Sequence, residues 1–151
     1  EKPEEEAGET DPVKKISSLS NLKPGESISL EELTFQPGRH FLRRQAIPYV
    51  EMLLETLKKS PNLIIEIQGY ICCIYDNPDG YDYDDKNFLL SLNRAKFIYA
   101  YLVKKGISAD RMSYKGFGST KPKVFPELTT EDEIKNRRGV IVVVGNKNTI
   151  P

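Results

Sequence analysis

Polar and apolar positions alternate over Ser27-Ile28-Ser29-Leu30, the spacing of a half-buried strand, just after a turn at Lys23-Pro24-Gly25-Glu26. Leu33-Thr34-Phe35 continues as a short extended run up to a second turn at Gln36-Pro37-Gly38. The period then changes. Ile47, Val50, Leu54 and Leu57 form one stripe at helical spacing, and Pro48 fits only a first turn, where backbone N–H groups lack partners anyway. This predicts a helix that starts between Arg44 and Ile47 and ends near Lys59, because Pro61 disfavours helix in the residue before it. Leu63 to Tyr70 is the clearest strand, with Ile65, Ile67 and Gly69 alternating against Glu66 and Gln68. A second helix is expected from about Asn87 to Lys105, closed by Gly106. Arg111 to Gly116 and Val140 to Val144 predict two further strands, and Lys121 to Asp132, broken by Pro122 and Pro126, reads as loop. Gly139 suggests a bulge at the start of the last strand. The order is β-α-β-α-β-β. Long helices between strands imply crossovers, so at least part of the sheet should be parallel.

Length and charge narrow the picture. The chain has 151 residues, enough for one domain with a core that needs no staples. Twenty-two basic and 22 acidic side chains cancel, which removes the basic excess of a general nucleic-acid binder or a polybasic membrane-surface protein. No apolar run approaches the roughly 18 residues of a membrane span, and the opening lacks the basic-then-apolar order of a signal peptide. The balance is uneven along the chain. Residues 1–15 hold six acids, three lysines and two prolines, a composition that cannot bury enough surface to offset its ordering entropy. The expected organisation is a disordered acidic tail or linker over 1–20, one domain over 21–146 and a short tail over 147–151. Outside the first 15 residues the chain carries a mild net charge of +3.

The two cysteines, Cys72 and Cys73, are adjacent. A bond between neighbours closes a small ring far from ordinary disulfide geometry, and zinc pairs normally leave two to four residues between ligands. They are therefore expected to be small residues at a strand end, at least one packed inside, and they do not reveal the compartment. The single histidine, His40, and the lack of a phosphate loop or a convincing Ser-His-Asp set give no basis for an enzyme, a cofactor or a metal centre.

Arg94 is the physical anomaly. It falls on the line Leu90–Ile98–Leu102 of the second helix, beside Ala95 and Tyr101. A guanidinium on an apolar face must reach water or meet an anion. Asn87 and Ser91, seven and three residues earlier, are expected on the same side, making an edge of amide, hydroxyl and guanidinium suited to a carboxylate. The alternative is a structural salt bridge to an acid of this chain, for instance in the loop from Asp76 to Asp85.

Gly69-Tyr70 at a strand end, Asn87-x-x-Leu90-Ser91-x-x-Arg94-Ala95, Tyr101-Leu102-x-x-x-Gly106-Ile107, Arg111, Gly116-Phe117-Gly118 with Pro122, Asn136-Arg137-Arg138 and the Phe35-Gln36-Pro37-Gly38 turn together resemble the OmpA-like C-terminal domain. The resemblance runs from about Leu30 to Val144. It implies an α+β two-layer sandwich, with a mixed sheet and helices on one face, that binds peptidoglycan without covalent chemistry. It further implies a periplasmic domain attached to the outer membrane through a region outside this chain, as part of an outer-membrane protein or lipoprotein. In the family an Asp meets the ammonium of the stem's diaminopimelate and an Arg meets its carboxylate. Arg94 matches that Arg, but Cys72 stands where Gly-His-Thr-Asp or Gly-Tyr-Thr-Asp would supply the Asp, and the loop to Asn87 is longer by about seven residues. The implied ligand-contacting set is Arg94, Asn87, Ser91, Tyr70, Ile71, Cys72, Gln36 and Asp76. Three readings of Asp76, Asp79, Asp82, Asp84 and Asp85 stand side by side: one replaces the missing carboxylate, the loop binds Ca²⁺ despite lacking EF-hand spacing, or it is a solvated excursion. An OmpA-like domain with an altered pocket, used for protein–protein assembly at the outer membrane, is the alternative function.

Overall fold

The structure, a computed structural model, describes residues 11–73 and 77–146. The two most apolar strands lie in the middle of the sheet. They are β2 (Leu63–Tyr70) and β4 (Arg138–Asn146), flanked by β1 (Ser27–Leu30) and β3 (Met112–Gly118) in the order β1-β4-β2-β3. β4 is antiparallel to both neighbours, and β2 and β3 are parallel. The parallel pair requires the crossover that α3 (Leu90–Lys104) supplies, and α2 (Ile47–Lys59) joins β1 to β2. Leu63, Ile65 and Ile67 of β2 are fully buried with Ile141 and Val143 of β4, against Val50, Leu53 and Leu57 of α2 and Ile98 and Leu102 of α3. This is the expected α+β architecture, a mixed sheet with its long helices on one face. Arg111 fastens one end of it, donating to the carbonyls of Leu57, Ser60 and Leu63 where α2 turns into β2.

Two helices were not foreseen. Residues 12–17 form α1 (Pro12–Ser17), followed by a 3-10 turn, and Ile16 and Leu19 are fully buried. Asp11 caps α1 by accepting from the Val13 N–H, Pro12 takes the first turn, and the two apolar side chains join the core. Residues 11–20, expected in the tail, are therefore part of the folded body; residues 1–10 and 147–151 of the expected tails lie outside the described residues. α4 (Thr130–Asn136) replaces the end of the expected loop, opened by a capping box between Thr129 and Asp132. α3 is shorter than expected at its start, so Asn87 lies in the preceding loop.

The bulge expected at Gly139 is absent. Gly139 pairs in register with Gly69 and Leu30, and the shift in the β2–β4 pairing falls between Ile64 and Ile65. The lack of a side chain at Gly139 instead makes room for Leu33.

The start of α3 lies unusually close to the sheet. A Cβ on Gly69 would overlap the Ser91 carbonyl, and one on Gly116 would overlap the Leu92 nitrogen. Two glycines in paired register on β2 and β3 thus let the helix backbone touch the strands, which sets where Arg94 emerges one turn later.

Candidate functional site

Arg94 is half-buried, and its guanidinium is held by backbone oxygens rather than by a carboxylate. Nε donates to the Arg39 carbonyl at 2.8 Å and Nη2 to the Gln36 carbonyl at 3.0 Å. The Phe35 ring lies 4.9 Å below the guanidinium carbon. Burial pushes the Arg94 pKa down to about 10; the charges of Asp82 and Asp79 oppose this shift, and those of Arg137 and Arg43 add to it. It therefore stays charged at neutral pH. The alternative salt bridge to the acidic loop is not formed among the described residues; the turn at 36–39 instead offers carbonyls directly under the helix.

The expected polar edge of Asn87, Ser91 and Arg94 is not formed either. Ser91 is fully buried, with its hydroxyl donating to Asp79 and accepting from the Gly118 N–H. The Asn87 side chain, in the loop, accepts from Asn93 of α3 at 3.1 Å. Both residues are structural supports of the site.

Three acids of the loop are taken up by the fold. Asp79, buried, accepts from the Ser91 N–H at 2.9 Å and from the Ser91 hydroxyl at 2.8 Å, capping α3 from outside the helix. Asp82, its side chain fully buried, takes Nδ1 of His40 at 2.7 Å, the Asn93 amide at 2.8 Å and the N–H groups of Asp84 and Asp85. Asp84 binds Arg39 and the His40 N–H. Together these bonds tie the 36–40 turn to the loop and to α3. Asp79, Asp82 and Asp84 are thus committed and do not replace the carboxylate missing at Cys72. Asp85 is exposed, and Asp76 lies outside the described residues.

This arrangement predicts a pH dependence. At Asp82 burial works to raise the pKa, but the hydrogen bonds from His40, Asn93 and the two backbone N–H groups outweigh it and leave the carboxyl below the ordinary 3.8. At Asp84 the Arg39 hydrogen bond is the main cause of a shift in the same direction. A depressed carboxyl stabilises the fold above its unfolded pKa, and that stability is lost as pH falls through the folded value. Thermal melts should therefore show Asp82→Asn destabilised at pH 7 and converging on the wild type as pH falls below 3.8 and through the lowered folded value. A gap between the two that stays constant with pH would show that the charge of Asp82 contributes nothing.

Near Arg94 the surface opens into a cavity of about 470 Å³. Its lining includes Glu31, Phe35, Arg43, Tyr70, Arg94, Arg137 and Arg138. Of the expected residues, Arg94 and Tyr70 meet here, and Gln36 contributes the carbonyl that steers Arg94. Ile71 is buried beside it in sequence, on the wall of a second, smaller cavity. Cys72 and Cys73 are joined in a disulfide, against the expectation of two free thiols, and Arg137 Nη1 lies 3.3 Å from the Cys72 sulfur. The missing Asp is thus replaced by a neutral group facing an arginine. Arg43, Arg137 and Arg138 were not among the expected ligand residues. Arg137 and Arg138 carried a signal, two adjacent cations at the start of a strand, and Arg43 carried a similar one, paired with Arg44 just before α2.

Two groups come together with metal-type donors among the described residues: His40 with Asp82 and Asp84, and Cys72 and Cys73 with Glu133, each set within 4.8 Å. The first has its lone pairs directed at N–H donors and falls short of the six to eight oxygens that Ca²⁺ takes. The second has its sulfurs tied to each other. Neither geometry favours an ion.

A sequence model described as the OmpA family matches residues 34–138, a span that holds all four cavity arginines. The chain belongs to the OmpA family. As an OmpA-family domain it is a binding module and not an enzyme. Its relatives include the peptidoglycan-binding protein ArfA of Mycobacterium tuberculosis, 36% identical over 89 residues, which are 59% of this chain and 25% of ArfA. Motility protein B of Helicobacter pylori is 26% identical over 133 residues, 87% of this chain and 48% of that protein. The OmpA-like domain thus spans a quarter to a half of the length of these relatives. In fold it is similar to a putative MotB-like protein from Desulfovibrio vulgaris, with a TM-score of 0.66, 20% identity, and 89% of this chain and 87% of that one covered.

Proposed function

We propose that this domain binds peptidoglycan non-covalently through the cavity at Arg94. A carboxylate of the diamino-acid residue in the peptide stem would lie on the guanidinium. The observation that carries the reading is the Arg94 side chain itself: two of its nitrogens are spent on fixing its orientation, and Nη1 makes no hydrogen bond among the described residues. A cation oriented in this way at a cavity wall is set to take an anion without first reorganising. The names of its relatives, a peptidoglycan-binding protein and a motility protein whose solved domain is called periplasmic, support the same role and compartment. So does the Cys72–Cys73 disulfide, since such bonds persist in oxidising compartments. We place the attachment at the outer membrane, through an outer-membrane protein or lipoprotein.

The test is co-sedimentation with purified sacculi, alongside Arg94→Ala. The variant loses two charge-assisted bonds to carbonyls, so about 1–3 kcal/mol of stability should go with it. Binding is therefore compared at a temperature where circular dichroism shows both proteins folded. The variant should remain in the supernatant. Sedimentation of the variant at wild-type levels overturns the role of Arg94, and failure of the wild type to sediment overturns the peptidoglycan reading. That second result would favour the alternative role in protein–protein assembly, for which the exposed rings of Tyr83 and Phe88, packed around Tyr81, offer a surface.

A further inference from the structure

Arg94 takes its direction from the turn at 36–39, and that turn has little of its own to hold it. It sits between the paired residues Phe35 and Leu42, with no helix or strand inside it. A surface turn of this kind samples many backbone orientations unless something outside it fixes its peptide groups. If the carbonyls of Gln36 and Arg39 wandered, the guanidinium would wander with them.

The loop between β2 and α3 does the fixing, one peptide group at a time. In a trans peptide the N–H and C=O point in opposite directions, so a bond at one end orients the other. The Arg39–His40 peptide offers its carbonyl to Arg94 Nε, and its N–H, on the far side, donates to Asp84 Oδ2 at 3.0 Å. The Gly38–Arg39 peptide is held in the same manner. Its carbonyl accepts from the Tyr83 N–H at 2.9 Å, and its N–H donates at 2.9 Å to the Gln36 carbonyl, which also takes Arg94 Nη2. Each carbonyl under Arg94 is thus one peptide group away from residues 82–84. Side chains reinforce the link. Arg39 Nε donates to Asp84 Oδ1 at 2.6 Å, and His40 Nδ1 lies 2.7 Å from Asp82 Oδ2; a carboxylate only accepts, so Nδ1 carries the proton. The same Asp82 oxygen accepts from the amide of Asn93, the residue before Arg94, which closes the circuit back to α3. The fit is tight as well. A Cβ on Gly38, where φ is +71°, would lie 2.6 Å from the Tyr83 ring.

We propose that Asp82, Tyr83 and Asp84 are positioning residues for Arg94: acting through the 36–39 turn, they set the direction of the guanidinium and thereby the affinity of the cavity for its anionic ligand. This rests on the proposed binding role of Arg94 for the identity of that ligand. It gives the long acidic loop a task in recognition besides its share in stability. A cation already aimed into the cavity spares the cost of ordering it when the anion arrives.

The test uses the full chain, labelled with nitrogen isotope, and reads two arginine Nε–H groups by NMR. One is that of Arg94. The other, the reference, is that of Arg111, which donates to the Leu63 carbonyl where α2 turns into β2. Each signal is identified by its loss in Arg94→Lys or Arg111→Lys. In Asp84→Ala, solvent exchange of the Arg94 Nε–H should speed up by about tenfold or more, with Arg111 within about twofold of the wild type. His40→Ala, which cuts the tie to Asp82, should act in the same direction. Asp84→Asn keeps an oxygen for the His40 N–H and should stay within about threefold of the wild type. Asp85→Ala should change neither signal. Sacculi should be bound about tenfold more weakly by Asp84→Ala and His40→Ala than by the wild type, at a temperature where circular dichroism shows all of them folded. Unchanged Arg94 exchange in both alanine variants overturns the proposal. Equal acceleration at Arg94 and Arg111 overturns it too, since the segment would then support the fold as a whole, and an equal effect of Asp85→Ala would reduce it to general charge. Exchange needs no ligand, so the two levels separate. If the wild type fails to sediment with sacculi and the exchange pattern holds, the peptidoglycan reading fails and the positioning of Arg94 stands. If the exchange pattern holds and sacculi bind every variant equally, the positioning serves no binding and the proposal fails.

Discussion

Gly116→Ala should cost the domain about 3 kcal/mol, at the upper end of what overpacking usually does. The methyl group would overlap the Leu92 backbone nitrogen, and backbone in the first turn of a helix cannot swing aside as a side chain can. The helix would have to lift from β3. That would also pull the Ser91 hydroxyl from the Gly118 N–H and move Arg94 away from the carbonyls that steer it. Urea unfolding would show a lower midpoint with an unchanged slope, and under the proposed function co-sedimentation with sacculi would weaken in the fraction still folded. A midpoint within experimental error of the wild type would mean that α3 does not rest on the strands as described.

Asp79→Ala ranks second, at about 2–3 kcal/mol. Its carboxylate satisfies the Ser91 N–H and hydroxyl at the start of α3 and also receives its own neighbour, the Gly80 N–H, at 2.7 Å. Removing it leaves buried donors without acceptors, which is costlier than the mean worth of the bonds. Asp85→Ala, an exposed acid of the same loop, should fall within about 0.5 kcal/mol of the wild type. Equal effects for the two variants would show that the loop acids act through general charge and not through these particular bonds.

The contrast between those two aspartates marks where sequence reading stops. Strands such as Leu63–Tyr70 and the apolar stripe of α2 are legible because burial imposes a period on neighbouring residues. The capping box at Thr129 and Asp132 was equally local and could have been read as the start of α4. The brief α1 was hidden by its acidic surroundings, since its apolar anchors in the core among the described residues are just Ile16 and, in the turn after it, Leu19. Arg94 was identifiable as a charge in an apolar line, but its partners were not. The Gln36 and Arg39 carbonyls lie more than fifty residues away and are backbone groups, which carry no signature of residue type. The same holds for the acidic loop. Five aspartates in a row of ten residues look interchangeable, and only the positions of His40, Asn93 and the start of α3 give them separate tasks. The Cys72–Cys73 bond was set aside on ring geometry, because adjacency argues against a link that the fold nevertheless makes.

The strand order carries a consequence for how the chain must fold. β1 has β4 as its partner, with Ser27 opposite Val142, and β4 also forms one whole side of β2. One of the two central strands, β4, is therefore the last of the sheet's four described strands to leave the ribosome. Until it arrives, β1 has no partner, β2 lacks one edge, and the core lacks Ile141 and Val143. Pairing over so long a separation is slow, because loop closure precedes any contact that rewards it. A chain that stops before Arg138 is then not a smaller version of the domain but an unfolded one. The same lateness would keep the chain open until β4 has been made.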